Sequence, residues 1–234
     1  MSLPQPDKSS VSVRAMFDDI AHSYDLLNGL LSANQDKLWR LRAAKRLNVR
    51  RGERVLDLCC GTGALSRKLA RQTPDAHIVG ADFSPRMLDI ARHDSNPKIE
   101  YIEANALEMP FGNEEFDALS VAFGVRNFED TRLGLREMNR VLKSDGRLLV
   151  LEFMRPTSPL VSRFFSLFNT LLAPVGRTIS HHETAYNYLP QSVGGFYSRR
   201  EFEQLLREEG FVNIRSFDHT FGVATAFLAQ KRAK

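Results

Sequence analysis

The chain has 234 residues, 43% hydrophobic and 26% charged, with a formal net charge of +4. That balance excludes a disordered or fibrous chain and allows one substantial core, hence one domain. No apolar run reaches the roughly 18–20 residues that cross a bilayer, and no basic-then-apolar leader opens the chain, so a cytoplasmic protein is expected.

Residues 1–12 read as a disordered tail and residues 13–234 as a single domain. Met16, Phe17, Ile20, Tyr24 and Leu27 recur at helical spacing, which predicts a helix docked on an apolar surface. A second helix through Leu38–Leu47 completes an N-terminal helical cap over residues 13–50. Arg and Lys are densest in "KLWRLRAAKRLNVRRGER", Lys37 to Arg54. This stretch is either a solvated helix face with a turn, or a surface drawn to anionic lipid heads or phosphates.

Strands and helices then alternate. "RVLDLCC", "HIVGADF", "KIEYIEA", "EFDALSVAF" and "RLLVLEF" are strand-like; "ALSRKLARQ", "SPRMLDIARHD" and "DTRLGLREMNRVLK" are helical. Ser84 is the expected N-cap of its helix, with Pro85 at the first helical position. "SDG" reads as a turn. Such alternation predicts an α/β fold, with a parallel sheet covered by helices on both faces. Near the end, "RREFEQLLREEGF" is a helix stopped by Gly210. "VNIRSFDHT" and "VATAFLAQKR" read as a final hairpin, which makes a mostly parallel, seven-stranded sheet. Between Arg155 and Ser198 the alternation stops, and the length of the gap marks a functional insertion, 155–198. In it, Leu160, Val161, Phe164, Phe165, Phe168, Leu171 and Leu172 share one broad helical face. That face suits a core or homodimer interface, a cover for an apolar ligand, or contact with a membrane surface.

The stretch "VLDLCCGTGALS" carries the most chemistry. Gly61 and Gly63 fall where the first strand hands over to its helix, and without a Cβ they allow close approach by a ligand. A dinucleotide turn would have a third glycine at position 66, which is Ser. Asp57, four residues before Gly61, would repel a pyrophosphate by about 1–4 kcal/mol at ~4 Å. The same carboxylate suits S-adenosylmethionine, which has an ammonium, a sulfonium and a ribose but no phosphate. Asp82, ending the second strand, lies near the spacing at which an acid meets ribose hydroxyls. Asn105 and the backbone N–H of Ala106 follow the third strand, where they can read adenine.

The chain resembles the class I S-adenosylmethionine-dependent methyltransferases, which have a Rossmann-like fold. More narrowly it is similar to the family that C-methylates the quinol ring in menaquinone and ubiquinone biosynthesis. The likeness runs from about Val13 to Phe227 on "MFDDIAHSYDLLNGLLS", "VLDLCCGTGALS", "FGVRNFED", "GRLLVLEF" and "YNYLPQSVGGF". It implies cofactor contacts at Thr62, Asp82, Asn105 and Ala106. Two departures stand out: Cys59, Cys60 and Ala64 replace the common "AGGTGD", and Ala122 stands where Ser is frequent. The implied substrate is a prenylated quinol, with demethylmenaquinol favoured over a benzoquinol. With a polyprenyl tail on the substrate, the apolar stripe of the insertion and nearby basic residues suit covering the tail and holding a cytoplasmic protein peripherally at the inner membrane face.

Ring methylation needs a phenolate and a nucleophilic carbon held in line with the methyl group. Arg126 suits the oxyanion and Asn127 the orientation of the ring; the other reading of Arg126 is a structural arginine bonded to loop carbonyls. Tyr24, beside His22 and Asp25, either closes over the cofactor or simply packs. Tyr186, Tyr188 and Gln191 suit the quinol pocket, and His181 or His182 a base. No metal is expected, since adjacent histidines point apart. Cys59 and Cys60 read as small buried thiols. No concentrated basic surface with stacking aromatics suggests nucleic acid. A non-catalytic scaffold that binds the cofactor is the alternative from another class.

Overall fold

The computed structural model describes residues 7–93, 98–155 and 183–233, with side chains at 7–30, 32–93, 98–155 and 188–233. The strands are β1 (Arg54–Leu58), β2 (His77–Asp82), β3 (Ile99–Glu103), β4 (Phe116–Ala122), β5 (Leu142–Phe153), β6 (Phe211–His219) and β7 (Ala224–Lys231). They form one sheet in the order β3-β2-β1-β4-β5-β7-β6. β1 to β5 run parallel, and β7 turns antiparallel between β5 and β6. Strand order reverses between β1 and β4, which opens a crevice at their carboxyl ends. The expected seven-stranded, mostly parallel sheet and its final hairpin are both present.

The helices are α1 (Ser10–Ile20), α2 (Tyr24–Leu31), α3 (Gln35–Leu47), α4 (Ala64–Gln72), α5 (Pro85–His93), α6 (Thr131–Val141), α7 (Glu183–Gly194) and α8 (Arg199–Glu208). Alternate strand residues point to opposite faces, so one sheet feeds two cores. Val55, Ile78, Ala118, Leu149 and Leu151 pack with Trp39 and Leu47 of α3 and Leu65 and Leu69 of α4. Leu56, Leu58, Leu119, Val121 and Val150 pack with Met138 of α6 and Phe202 of α8.

Three expectations are adjusted. The tail does not run to residue 12: α1 begins at Ser10, because the Asp7 carboxylate accepts the Ser9 amide at 2.9 Å and the Ser12 hydroxyl at 2.6 Å. The first helix is broken by a 3-10 turn at Ala21–Ser23. The "SDG" turn survives as an irregularity inside β5, with Asp145 at φ 61° and a register shift opposite Phe116 and Ala118. The Leu160–Leu172 stripe, His181 and His182 lie outside the described residues, as does the side chain of Tyr186.

Parity also decides the fate of Asp57. It shares the face of Val55, so its side chain enters the core beneath α4 rather than the crevice. There Ser66 donates to Oδ2 at 2.5 Å and Ser120, its register partner on β4, to Oδ1 at 2.7 Å. Burial pushes the Asp57 pKa up to about 6, and the two hydroxyls only partly pull it back. The folded chain therefore keeps this proton at pH values where the unfolded chain has lost it. The stability so contributed is complete below pH about 4 and is lost as pH rises through about 6. Asp57→Asn should remove about one proton from the slope of stability against pH in that window. Urea unfolding of the ligand-free chain at a series of pH values measures it, and an unchanged slope would contradict the assignment.

Candidate active site

β1 ends at Leu58, and the chain enters α4 through Cys59 (φ 53°), Gly61 (φ 55°) and Gly63 (φ 80°). At Gly63 a Cβ would be strained by the left-handed backbone and would collide with the Tyr101 hydroxyl. At Gly61 a Cβ would meet nothing nearer than Tyr24 Cε1 at 3.9 Å. Its place is the open crevice itself.

Asp82 ends β2 against this turn. Its Oδ2 accepts the Gly61 amide at 2.8 Å and its Oδ1 the Ser84 amide at 3.0 Å. Burial pushes its pKa up to about 6, opposed by the backbone amides, while Asp18 pushes in the same direction as burial. Ser84 caps α5 as expected, accepting the Met87 amide at 3.2 Å, and donates to Asp18 at 2.5 Å. After β3, the Asn105 side chain accepts the Leu107 amide at 2.9 Å, and Ala106 lies against the same opening.

These groups line one cleft. Gly61, Asp82, Asn105 and Ala106 form one part; Phe17, Tyr24, Phe123, Asn127, Phe128 and Lys8 form another. Asn127 is fixed by Tyr188, whose hydroxyl donates to Oδ1 at 3.0 Å. A smaller cavity, lined by Asp25, Arg40, Asp57 and Thr62, shares Tyr24, Cys59, Gly61 and Ala122 with the cleft. Tyr24 thus stands over the glycine turn at the junction of the two spaces, half-buried and edge-on to Phe17 at 5.9 Å. Burial raises its pKa further above the usual phenol value, so it is a neutral donor rather than a base.

Four of the expected site residues do not line the cleft; Gly63 is one, its missing Cβ leaving room for the Tyr101 hydroxyl instead. Asp57 touches only the smaller cavity, with its carboxylate taken up by two serines. The Thr62 hydroxyl donates to Asp25 of α2 at 2.9 Å, so it ties the helical cap to the glycine turn. Arg126 does not line the cleft. Its Nη1 donates to the Phe123 carbonyl at 2.6 Å and to Glu152 at 2.9 Å, with both side chains buried. Its Nε is buried without a hydrogen-bond partner among the described residues. The structural reading of this arginine is the one the geometry carries, because a buried Glu152 demands a cation.

Sequence reasoning missed Lys8, which was assigned to the tail. It lines the cleft, with Nζ 6.0 Å from the Phe196 ring centroid, and forms no ion pair among the described residues. A polar segment without hydrophobic periodicity gave no sign of it. Among the described residues no three His, Cys, Asp or Glu side chains gather as metal ligands would, and no helix is long and apolar enough to cross a membrane.

A glycine turn facing a strand-end acid at the reversal point of a 3-2-1-4-5-7-6 sheet is the arrangement of a class I methyltransferase. A solved S-adenosylmethionine-dependent methyltransferase of Thermotoga maritima has the same fold, with a TM-score of 0.67 over 93% of this chain and 99% of its own at 22% identity. Sequence narrows the class. The model of the ubiE/COQ5 methyltransferase family matches residues 5–231, and the chain belongs to that family. It is 42% identical to the ubiquinone/menaquinone biosynthesis C-methyltransferase of Citrifermentans bemidjiense, over 94% of this chain and 96% of that protein. It is 35% identical to a demethylmenaquinone methyltransferase of Staphylococcus aureus, over 94% and 92%.

The buried pair gives a stability prediction. Arg126→Ala leaves Glu152 charged and unpaired, so urea unfolding should show a loss of about 3–5 kcal/mol. A loss below about 1 kcal/mol would mean that the pair is solvated.

Proposed function

We propose that the chain transfers the methyl group of S-adenosylmethionine to a ring carbon of demethylmenaquinol, giving menaquinol and S-adenosylhomocysteine with loss of the proton on that ring carbon. The observation that carries this reading is the continuity of the cleft: an acid-and-amide part at β1 to β3 opens directly onto an aromatic part at β4 and α1. The relatives' names supply the quinol. The Citrifermentans relative is named for both quinones, so a polyprenyl benzoquinol is the second reading.

The residues fit the cofactor. Gly61 offers a place that a Cβ would fill, Asp82 an acceptor for ribose hydroxyls, and Asn105 with the Ala106 amide an adenine edge. When bound, S-adenosylmethionine supplies an electrophilic methyl group. The chain's own residues position the acceptor ring and stabilise its charge. Asn127, whose Oδ1 accepts from Tyr188 and whose Nδ2 donates to the Phe123 carbonyl at 3.5 Å, keeps a second amide proton that would serve a ring oxygen. Phe17, Phe123 and Phe128 give the ring apolar walls and exclude water. Lys8 lines the same cleft and would offer its ammonium to a ring phenolate, the role that the sequence suggested for Arg126. Burial, and then the charge of Arg126, hold its ammonium pKa below the usual lysine value. Arg126 serves by bracing the loop that carries Asn127.

Two variants separate the parts of the cleft. Asp82→Asn should raise the Kd for S-adenosylmethionine by about 10–100-fold, the worth of a charged hydrogen bond. Lys8→Met should lower kcat by about 100-fold, as for loss of one oxyanion-stabilising donor, with cofactor affinity retained. Anaerobic methylation of reduced demethylmenaquinone, beside a demethylated benzoquinol analogue, is the assay. If cofactor binds but neither ring is methylated, the reading fails and a scaffold role takes its place.

A further inference from the structure

The basic stretch that opens at Lys37 is not used by the cleft. Its helix, α3, buries Trp39, Ala43, Ala44 and Leu47 and turns a different face outward. Leu38, Leu41, Arg42 and Lys45 follow the i, i+3, i+4, i+7 spacing of a single stripe, and all four are exposed, the leucines at 36% and 37%. Neither Arg42 nor Lys45 forms an ion pair among the described residues, whereas the acids of this region are engaged. Asp36 is paired with Arg40, and Asp218 with Arg199 at 2.8 Å.

Beside α3 lies the turn between β6 and β7. Trp39 Nε1 donates to Thr220 Oγ1 at 3.2 Å, and the Arg46 guanidinium stacks 4.3 Å from the Phe217 ring centroid. His219, in the same wall, is held below the usual imidazole pKa by burial and then by Arg46 and Arg42, a sign of local positive potential. At the tip, Thr220, Phe221 and Gly222 all have positive φ (45°, 57° and 86°). Phe221 is 94% exposed. A left-handed backbone disfavours a bulky residue, and solvent rewards no phenyl ring there.

We infer that the Phe221 turn and the outer stripe of α3 form a docking surface for an anionic lipid bilayer. Phe221 enters the acyl boundary, Leu38 and Leu41 lie at its rim, and Arg42 and Lys45 meet the headgroups. Charge complementarity decides the occupant: unpaired cations flank an aromatic tip and two leucines. The surface is also well placed. β7 begins at Ala224, paired with Phe153 at the carboxyl end of β5, so the turn lies on the side of the sheet that carries the cleft. Trp39 packs on Phe153 and Phe123 at 6.1 and 6.3 Å between centroids, and Phe123 lines the cleft. That this docking brings an apolar tail to the cleft rests on the function proposed above; the lipid contact itself does not.

The test is co-sedimentation of the full chain with phosphatidylglycerol and with phosphatidylcholine vesicles. Phosphatidylglycerol should be preferred by about tenfold or more, and the preference should vanish as salt is raised from about 0.1 to about 1 M. Phe221→Ser and, separately, Arg42→Glu should each weaken binding to phosphatidylglycerol by about tenfold. Both variants should methylate a tail-less quinol in solution as fast as the parent while losing rate on vesicle-borne quinol. Equal binding to both lipids, or full binding by both variants, would overturn the inference. So would displacement from vesicles by transfer RNA, or self-association that Phe221→Ser abolishes without any change in lipid binding. Should the parent chain bind phosphatidylglycerol yet methylate no quinol, the failure belongs to the proposed function alone.

Discussion

The bracing of Asp82 is the interaction on which the site depends. Its two oxygens take amides from different segments, Gly61 of the turn after β1 and Ser84 at the head of α5. This fixes the turn relative to the neighbouring strand end and aims a buried carboxylate at the crevice. Burial pushes its pKa up to about 6, and the backbone amides oppose that rise. A positively charged ligand, or hydroxyls donating to the carboxylate, would favour the ionised form and gain affinity from it. The two amides reduce what that ionisation costs before a ligand arrives.

The N-terminal cap is fastened to the same place. Asp25 of α2 accepts the Thr62 hydroxyl, Asp18 of α1 accepts the Ser84 hydroxyl, and Tyr24 stands over Gly61 between them. Strand ends and cap therefore close the cleft through short polar contacts, while aromatic rings supply its walls. Behind the walls, Glu152 and Arg126 hold the loop after β4, so that Asn127 faces the cleft and the arginine does not. Rigid elements carry the polar groups, as the precise placement of an acceptor ring requires.

Much of this was legible in the sequence. Apolar runs broken by helical periods fixed the parallel sheet, and the short spacing of the last two strands their hairpin. Gly61, Asp82, Asn105, Ala106, Asn127 and Tyr24 were singled out and line one cleft. Asp57 lies close to the glycines in sequence, but strand parity outranks proximity: two residues after Val55, it shares that residue's buried face. Arg126 has the charge an oxyanion needs, but its partner Glu152 lies 26 positions away, and no local pattern announces such a pairing. Lys8 is in a segment that looks like a tail by composition, and only the Asp7 contacts reveal where α1 starts. Phe221 was read as part of a connection between strands; its exposure depends on a backbone conformation that residue type does not predict.

Calorimetry on the purified chain tests the central claim most directly, with S-adenosylmethionine, S-adenosylhomocysteine and NAD as titrants. The account predicts that both sulfur ligands bind at one site per chain and that NAD gives no heat, because the turn after β1 has Ser66 where a pyrophosphate-binding turn has its third glycine. Saturable uptake of NAD, with no binding of either sulfur ligand, would contradict it.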